Sequence, residues 1–192
     1  SVGQVDYYKS LLAEADLEPE MEEHLRELIS QKNYFGVEEL LKGQNLSESL
    51  SEVFAELPQM FGSVEVLEKA KKLTSNPEAL SAVKRLEEIY EILKIYGCEK
   101  YIAFDFGMLS KFRYYKGIIF QAYTYGTGEA IATGGRYDNL LSKFGKKTPA
   151  IGFAFVLDEL MLALRSQNID IDAKEEDYLV LYRSANREKA ID

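Results

Sequence analysis

The hydrophobic period changes once along the chain, close to Gly97, and this single change limits the fold more than any other feature. Before it, apolar residues recur every three or four positions. After it, they alternate or run together in short β-branched and aromatic stretches. Helices followed by a mostly antiparallel sheet, an α+β class, is the fold this pattern predicts.

The helical half runs from Val2 to Tyr96 and is punctuated by caps. Val5, Tyr8, Leu11, Leu12 and Ala15 share one helical face, and Pro19 suits the first turn of a second helix that buries Leu25 and Ile29. Asn33 or Tyr34 opens a third segment closed at Gly43. Ser47 starts a fourth that Pro58 ends, and Ser63 caps a fifth. The strongest start signal is Asn76-Pro77, a cap residue followed by proline at the first helical position. The helix it opens runs about 20 residues to Gly97.

Beyond Gly97, Tyr101 to Phe106 alternates, and Gly117 to Tyr125 is a strand. Gly126-Thr127-Gly128 turns it into a return strand from Glu129 to Thr133, which the pair Gly134-Gly135 should break. Tyr137 begins a short helix ending near Gly145. Pro149 to Ala154 predicts a central strand, in which Gly152 permits close approach, feeding a helix with Leu157, Leu160, Met161 and Leu164. Arg165 to Glu176 is polar and linker-like, Tyr178 to Tyr182 is a fresh strand, and the helix begun at Ser184 is cut off at Asp192. The expected division is therefore a helical region over 1–97, a sheet region over 98–166, and over 167–192 a linker with the start of a truncated α/β unit.

Composition removes several function classes. With 46% apolar residues the 192-residue chain can build a core, and no stretch approaches the roughly 18 apolar residues of a membrane span. Ser1 to Asp6 lacks the basic and apolar regions of a signal peptide, which predicts a soluble, cytoplasmic protein. One cysteine, Cys98, excludes an internal disulfide, and one histidine, His24, excludes His-rich metal sites. His24 sits among Glu22, Glu23 and Arg26 on a solvated helix face, and Cys98 reads as a structural thiol. The net charge of −9 is a poor match to sequence-independent nucleic-acid binding.

Two segments could carry chemistry. Gly134-Gly135-Arg136-Tyr137-Asp138 brings a loop close to something, with Arg136 free for a ligand or paired to Asp138. Arg113-Tyr114-Tyr115-Lys116-Gly117, with Tyr123 and Tyr125 farther on, is either a tyrosine cleft for a flat polar ring or cross-strand aromatic packing. Gly126-Thr127-Gly128 opens no helix and is followed by no Gly-Lys-Ser/Thr, so it reads as a turn.

At these residues the sequence resembles the class II histidyl-tRNA synthetase family. "RYYKGIIFQAY" (Arg113 to Tyr123), "GGRYDNL" (Gly134 to Leu140) and "PAIGFAFVLDEL" (Pro149 to Leu160) fall in that family's order and spacing. The resemblance covers about residues 1–165. It implies a class II synthetase-like antiparallel sheet with an N-terminal all-helical insertion. It also implies that the family's first motif and dimer-forming elements lie before Ser1. A working synthetase reads roughly "RGLDYYTG" and "GFAxGLERL" at two of these places. Here Ser110 stands where its substrate-activating arginine belongs, Val156 where a glycine lies under the adenine, and Glu159 where an arginine holds the ATP phosphates. Adenylate formation depends on cationic stabilisation of shifting phosphate charge, so these replacements predict its loss.

With those departures the sequence resembles the synthetase-like regulatory subunit of short-form ATP phosphoribosyltransferase. That resemblance implies a non-catalytic protein of histidine biosynthesis, needed by a separate short catalytic subunit for activity and for feedback inhibition by histidine. It implies a homodimer within a hetero-oligomer, no cofactor, no metal, no tRNA and no membrane. Tyr114 and Tyr115 would approach the imidazole, with Tyr123, Gly134, Gly135 and Arg136 shaping the pocket. The alternatives are an active histidyl-tRNA synthetase and an interaction module without an amino-acid ligand.

Overall fold

Asn76 behaves as its sequence position predicts. Its side-chain oxygen accepts from the amides of Glu78 and Ala79, both at 3.0 Å, and starts the 19-residue helix Pro77–Ile95. The computed structural model describes residues 1–109, 114–146 and 148–170. Six further helices are described: α1 (Val5–Ala15), α2 (Pro19–Ser30), α3 (Tyr34–Leu41), α4 (Glu48–Glu56) and α5 (Glu65–Lys72) before that long helix, α6, and α7 (Leu157–Ser166) after it. Asn33 and Ser47 cap α3 and α4 as predicted, through the amides of Gly36 and Leu50. The α5 cap differs: helix geometry begins after Val64, and the Ser63 hydroxyl donates to the Glu65 carboxylate instead. Among the described residues no helix is long and apolar enough to cross a membrane.

The strands are β1 (Val2–Gln4), β2 (Phe61–Gly62), β3 (Phe104–Asp105), β4 (Ile118–Ala122), β5 (Ala132–Arg136) and β6 (Ile151–Phe155). They form one sheet in the order β2-β3-β1-β4-β5-β6. Every neighbouring pair is antiparallel except β1 with β3. The fold is thus α+β, a nearly antiparallel sheet with helices packed against it.

Four expectations are corrected. The stretch from Val2 to Tyr96 is not wholly helical, because β1 and β2 lie within it and join the sheet. Segments of three and two residues are too short to show a period, and their partners lie far off in sequence, Val2 facing both Phe104 and Phe120. Only Phe104–Asp105 of the alternating run from Tyr101 is strand. Gly134 and Gly135 do not break β5 but sit inside it, paired to both neighbours. The segment from Pro149 forms the outer strand of the described sheet rather than a central one. Its register bonds to β5 fall at even-numbered residues, from Ala150 to Val156. The backbone groups of Ile151, Phe153 and Phe155 therefore point to the open edge, and these side chains are 66%, 62% and 59% exposed. The expected linker beyond Asp170, the strand Tyr178 to Tyr182 and the helix from Ser184 lie outside the described residues, as do Ser110 and Arg113.

The core joins the two halves. Helix α1 packs along α6, and both meet the sheet near β1. Tyr7 is fully buried, sets its ring edge-to-face on Phe106 at 4.7 Å and donates its hydroxyl to the Ala70 carbonyl at 3.0 Å. Burial pushes its phenol above the ordinary tyrosine range. Gln4 connects strand to helix: it is buried, and its side-chain oxygen accepts from the Asp6 amide at 3.1 Å to cap α1.

Candidate functional site

Side chains alternate across a strand, so each sheet residue belongs to one of two faces. A methyl group built on Gly135 would lie 2.8 Å from the Tyr115 ring. One on Gly152, paired opposite Gly135 in β6, would lie 2.6 Å from the Tyr137 hydroxyl. These two glycines form a flat floor on which two tyrosines rest. Tyr114 completes the group, with ring centroids 4.5 Å from Tyr115 and 6.1 Å from Tyr137, the latter edge-to-face.

The short segment carrying Tyr114 and Tyr115 is held from three sides. Lys9 of α1 donates its ammonium to the Tyr115 carbonyl at 2.8 Å. The Lys116 amide bonds the Arg136 carbonyl at 2.9 Å, and the Val5 amide bonds the Gly117 carbonyl at 2.9 Å. Gly117 takes φ +71°, a left-handed value that glycine adopts without strain, to turn the chain into β4. Burial, and then the hydrogen bond with Tyr114, push the Tyr115 hydroxyl up to about 12. It stays neutral at physiological pH. Such a site can hold a flat polar ring by face and edge contacts and hydrogen-bond its nitrogens; among the described residues the cluster includes no carboxylate or imidazole as a general base.

The predicted site residues divide between the faces. Tyr114, Tyr115 and Gly135 come together. Gly134 and Arg136 are turned to the opposite face, where a methyl group on Gly134 would meet the Phe153 Cβ at 2.5 Å and the Phe120 ring at 2.7 Å. The Arg136 Nε donates to the Asp138 carboxylate at 2.8 Å, the intramolecular pair that one of the two sequence readings contained. Tyr123 stands at the other end of β4 from Tyr115, 54% exposed, with its hydroxyl on the Gln121 side-chain oxygen at 2.8 Å. Tyr137, Gly152 and Lys9 belong to the cluster but were not among the predicted contacts. Alternation from Gly135 to Tyr137 was a usable signal for the first. Nothing local points to Lys9, which meets Tyr115 only in the fold.

At the junction of β6 and α7, Val156 sits just ahead of the helix and donates its amide to Ile131 at 2.9 Å. Asp158 and Glu159 occupy the first turn, where carboxylates complement the helix N-terminus. That end of the helix presents negative charge.

A nearly antiparallel six-stranded sheet, helices packed on it and a glycine-floored tyrosine cluster together define a class II synthetase-like core. Residues 1–160 match the histidyl-tRNA synthetase family model, and the chain belongs to that family. It is 39% identical over 189 residues to an ATP phosphoribosyltransferase regulatory subunit from Acetivibrio thermocellus, covering 98% of this chain and 45% of the relative. The regulatory subunit from Thermoanaerobacter sp. strain X514 is 41% identical over 189 residues, covering 98% and 50%. A solved ATP phosphoribosyltransferase regulatory subunit/histidyl-tRNA synthetase from Bacillus halodurans C superposes with a TM-score of 0.78 at 32% identity, over 85% of this chain and 43% of that one. The histidyl-tRNA synthetase of Nostoc sp. PCC 7120 shares the fold, with a TM-score of 0.72 at 20% identity. The chain spans about half the length of the curated relatives it matches.

Proposed function

We propose that this chain forms part of a non-catalytic regulatory subunit of short-form ATP phosphoribosyltransferase, which binds histidine and conveys it to a separate catalytic subunit as feedback inhibition. The observation that carries this reading is in the first turn of α7: by the resemblance, Glu159 stands where ATP-dependent activation needs an arginine, while the tyrosine cluster keeps the chemistry of an imidazole pocket. The likeness to named regulatory subunits supports the same conclusion. In this reading Tyr114, Tyr115 and Tyr137 contact the imidazole over Gly135 and Gly152, while Gly134 and Arg136 support β5 from behind. Tyr123 lies away from the ring site. The protein acts in the cytoplasm as a homodimer within the hetero-oligomer.

The test is to mix the natural protein that contains this sequence with the short catalytic subunit. Phosphoribosyl-ATP formation should rise on mixing and fall when histidine is added, and no change on mixing would refute the reading. Histidine-dependent pyrophosphate exchange with ATP tests the alternative of an active synthetase, and none is expected.

A further inference from the structure

The face of the sheet opposite the tyrosines carries a second concavity. It lies between α1, the first half of α6 and the start of β4, with a volume of about 880 Å³. Four cationic side chains line it: Lys9 and Arg85 from the two helices, Lys116 from the turn before β4, and Arg136 from β5. Against three carboxylates in the same lining this leaves an excess of one positive charge, in a chain of net charge −9.

Three carboxylates share the lining and are already offset. Asp138 takes the Nε of Arg136, and both residues line the cavity. Asp6 and Glu78 stand in the first turns of α1 and α6, where unpaired helical amides compensate them. Arg85 pairs along its own helix with Glu88 at 2.8 Å. Lys9 is bonded to a neutral carbonyl, so its charge is not cancelled there.

We propose that this cavity binds a small oxyanion, a phosphoryl or carboxylate group, and that its occupancy is transmitted to the tyrosine cluster on the other face through Lys9 and Lys116. The path is short and physical. Lys9 lines the cavity while its ammonium holds the Tyr115 carbonyl, so an anion that draws Lys9 inward competes with that bond. Lys116 contributes its side chain to the cavity and its amide to β5, directly after Tyr115 in sequence. A ligand that favours one position of Lys9 over the other shifts the position of Tyr115 by that difference in affinity. The binding half stands apart from the histidine reading; the coupling half rests on the tyrosine cluster being a ligand site.

The experiment is an amide- and ring-detected NMR titration of the 192-residue chain, at low salt, with inorganic pyrophosphate in one arm and citrate in the other. Saturable shifts at Lys116, Gly117 and Arg136 are expected, with Lys116→Glu weakening binding at least tenfold and the milder Lys116→Gln less. Dispersed amide signals verify that each variant is folded. Tighter binding of pyrophosphate assigns the phosphoryl source and tighter binding of citrate the carboxylate source; either supports the site. At saturation the Tyr114 and Tyr115 ring signals should move in the parent chain and stay still in Lys9→Met. Absence of saturable shifts with both probes, or unchanged affinity in folded Lys116→Glu, overturns the site. Tyrosine shifts that persist in Lys9→Met overturn the coupling. A separate histidine titration reports on the ring site alone, so failure of one reading is not mistaken for failure of the other.

Discussion

The ammonium of Lys9 holds the carbonyl of Tyr115 at 2.8 Å across 106 positions of sequence. This bond ties the helical half of the chain to the tyrosine cluster of the sheet. Removing it with Lys9→Met should cost at most about 1 kcal/mol of global stability, because the pair is exposed to solvent. Local order should suffer more. Hydrogen exchange at the Lys116 and Gly117 amides should speed up while exchange in α6 is unchanged.

Gly134 and Gly135 are adjacent yet should fail differently. Alanine at Gly134 places a methyl group 2.5 Å from both the Gly152 carbonyl oxygen and the Phe153 Cβ, which backbone pairing cannot relieve. A loss of about 2–3 kcal/mol in denaturant unfolding is expected. Alanine at Gly135 meets the Tyr115 ring at 2.8 Å and the Ile118 carbonyl at 2.9 Å, so it should also displace that ring and weaken histidine binding more than its stability loss accounts for.

The Tyr115 hydroxyl is pushed up to about 12, chiefly by burial, whereas an unfolded tyrosine ionises near about 10. Above that lower value the unfolded chain releases a proton that the folded chain retains. Its contribution to stability is therefore complete below pH ~10 and lost as pH rises toward 12. Tyr7 and Tyr8 are shifted in the same direction by burial. Denaturant midpoints measured from pH 9 to 12 should fall steadily, and Tyr115→Phe should flatten part of that slope. The phenolate absorbance of the variant should lack one late-titrating group.

Asn76 caps α6 and also donates to the Glu14 carboxylate at 2.8 Å. Asn76→Ala should destabilise the chain by about 1–2 kcal/mol, read from thermal unfolding. Asn76→Asp keeps the capping oxygen but faces Glu14 with a like charge, so it should recover only part of the loss.

Among the described residues, the edge of β6 combines unpaired backbone groups with exposed Ile151, Phe153 and Phe155. Such an edge is a template for pairing with another chain. The isolated 192-residue chain should self-associate with rising concentration in sedimentation velocity, and Phe155→Lys should shift it toward monomer without altering its circular dichroism.

The helices were readable because their punctuation is local. Asn76-Pro77 sets a cap and a first-turn residue within two positions, and Asn33 and Ser47 do the same by accepting from amides three residues on. The strands β1 and β2 were not readable, because two or three residues carry no period and acquire strand geometry from distant partners, Phe104 and Asp105 in β3 and Ile118, Ile119 and Phe120 in β4. In the site, the paired tyrosines and paired glycines stood out as residue types. Their faces followed from the strand register, which turned Gly134 and Arg136 away from the rings that Gly135 supports.

By itself the sequence determined the class of fold and the helix starts at Asn33, Ser47 and Asn76, since each depends on a residue's identity and its near neighbours. Only the tertiary structure decided which glycine lies beneath which tyrosine, which strand stands at the edge, and that Lys9 reaches Tyr115. Those relations join residues far apart in sequence. They are settled when the sheet register and the packing of α1 on α6 are set together.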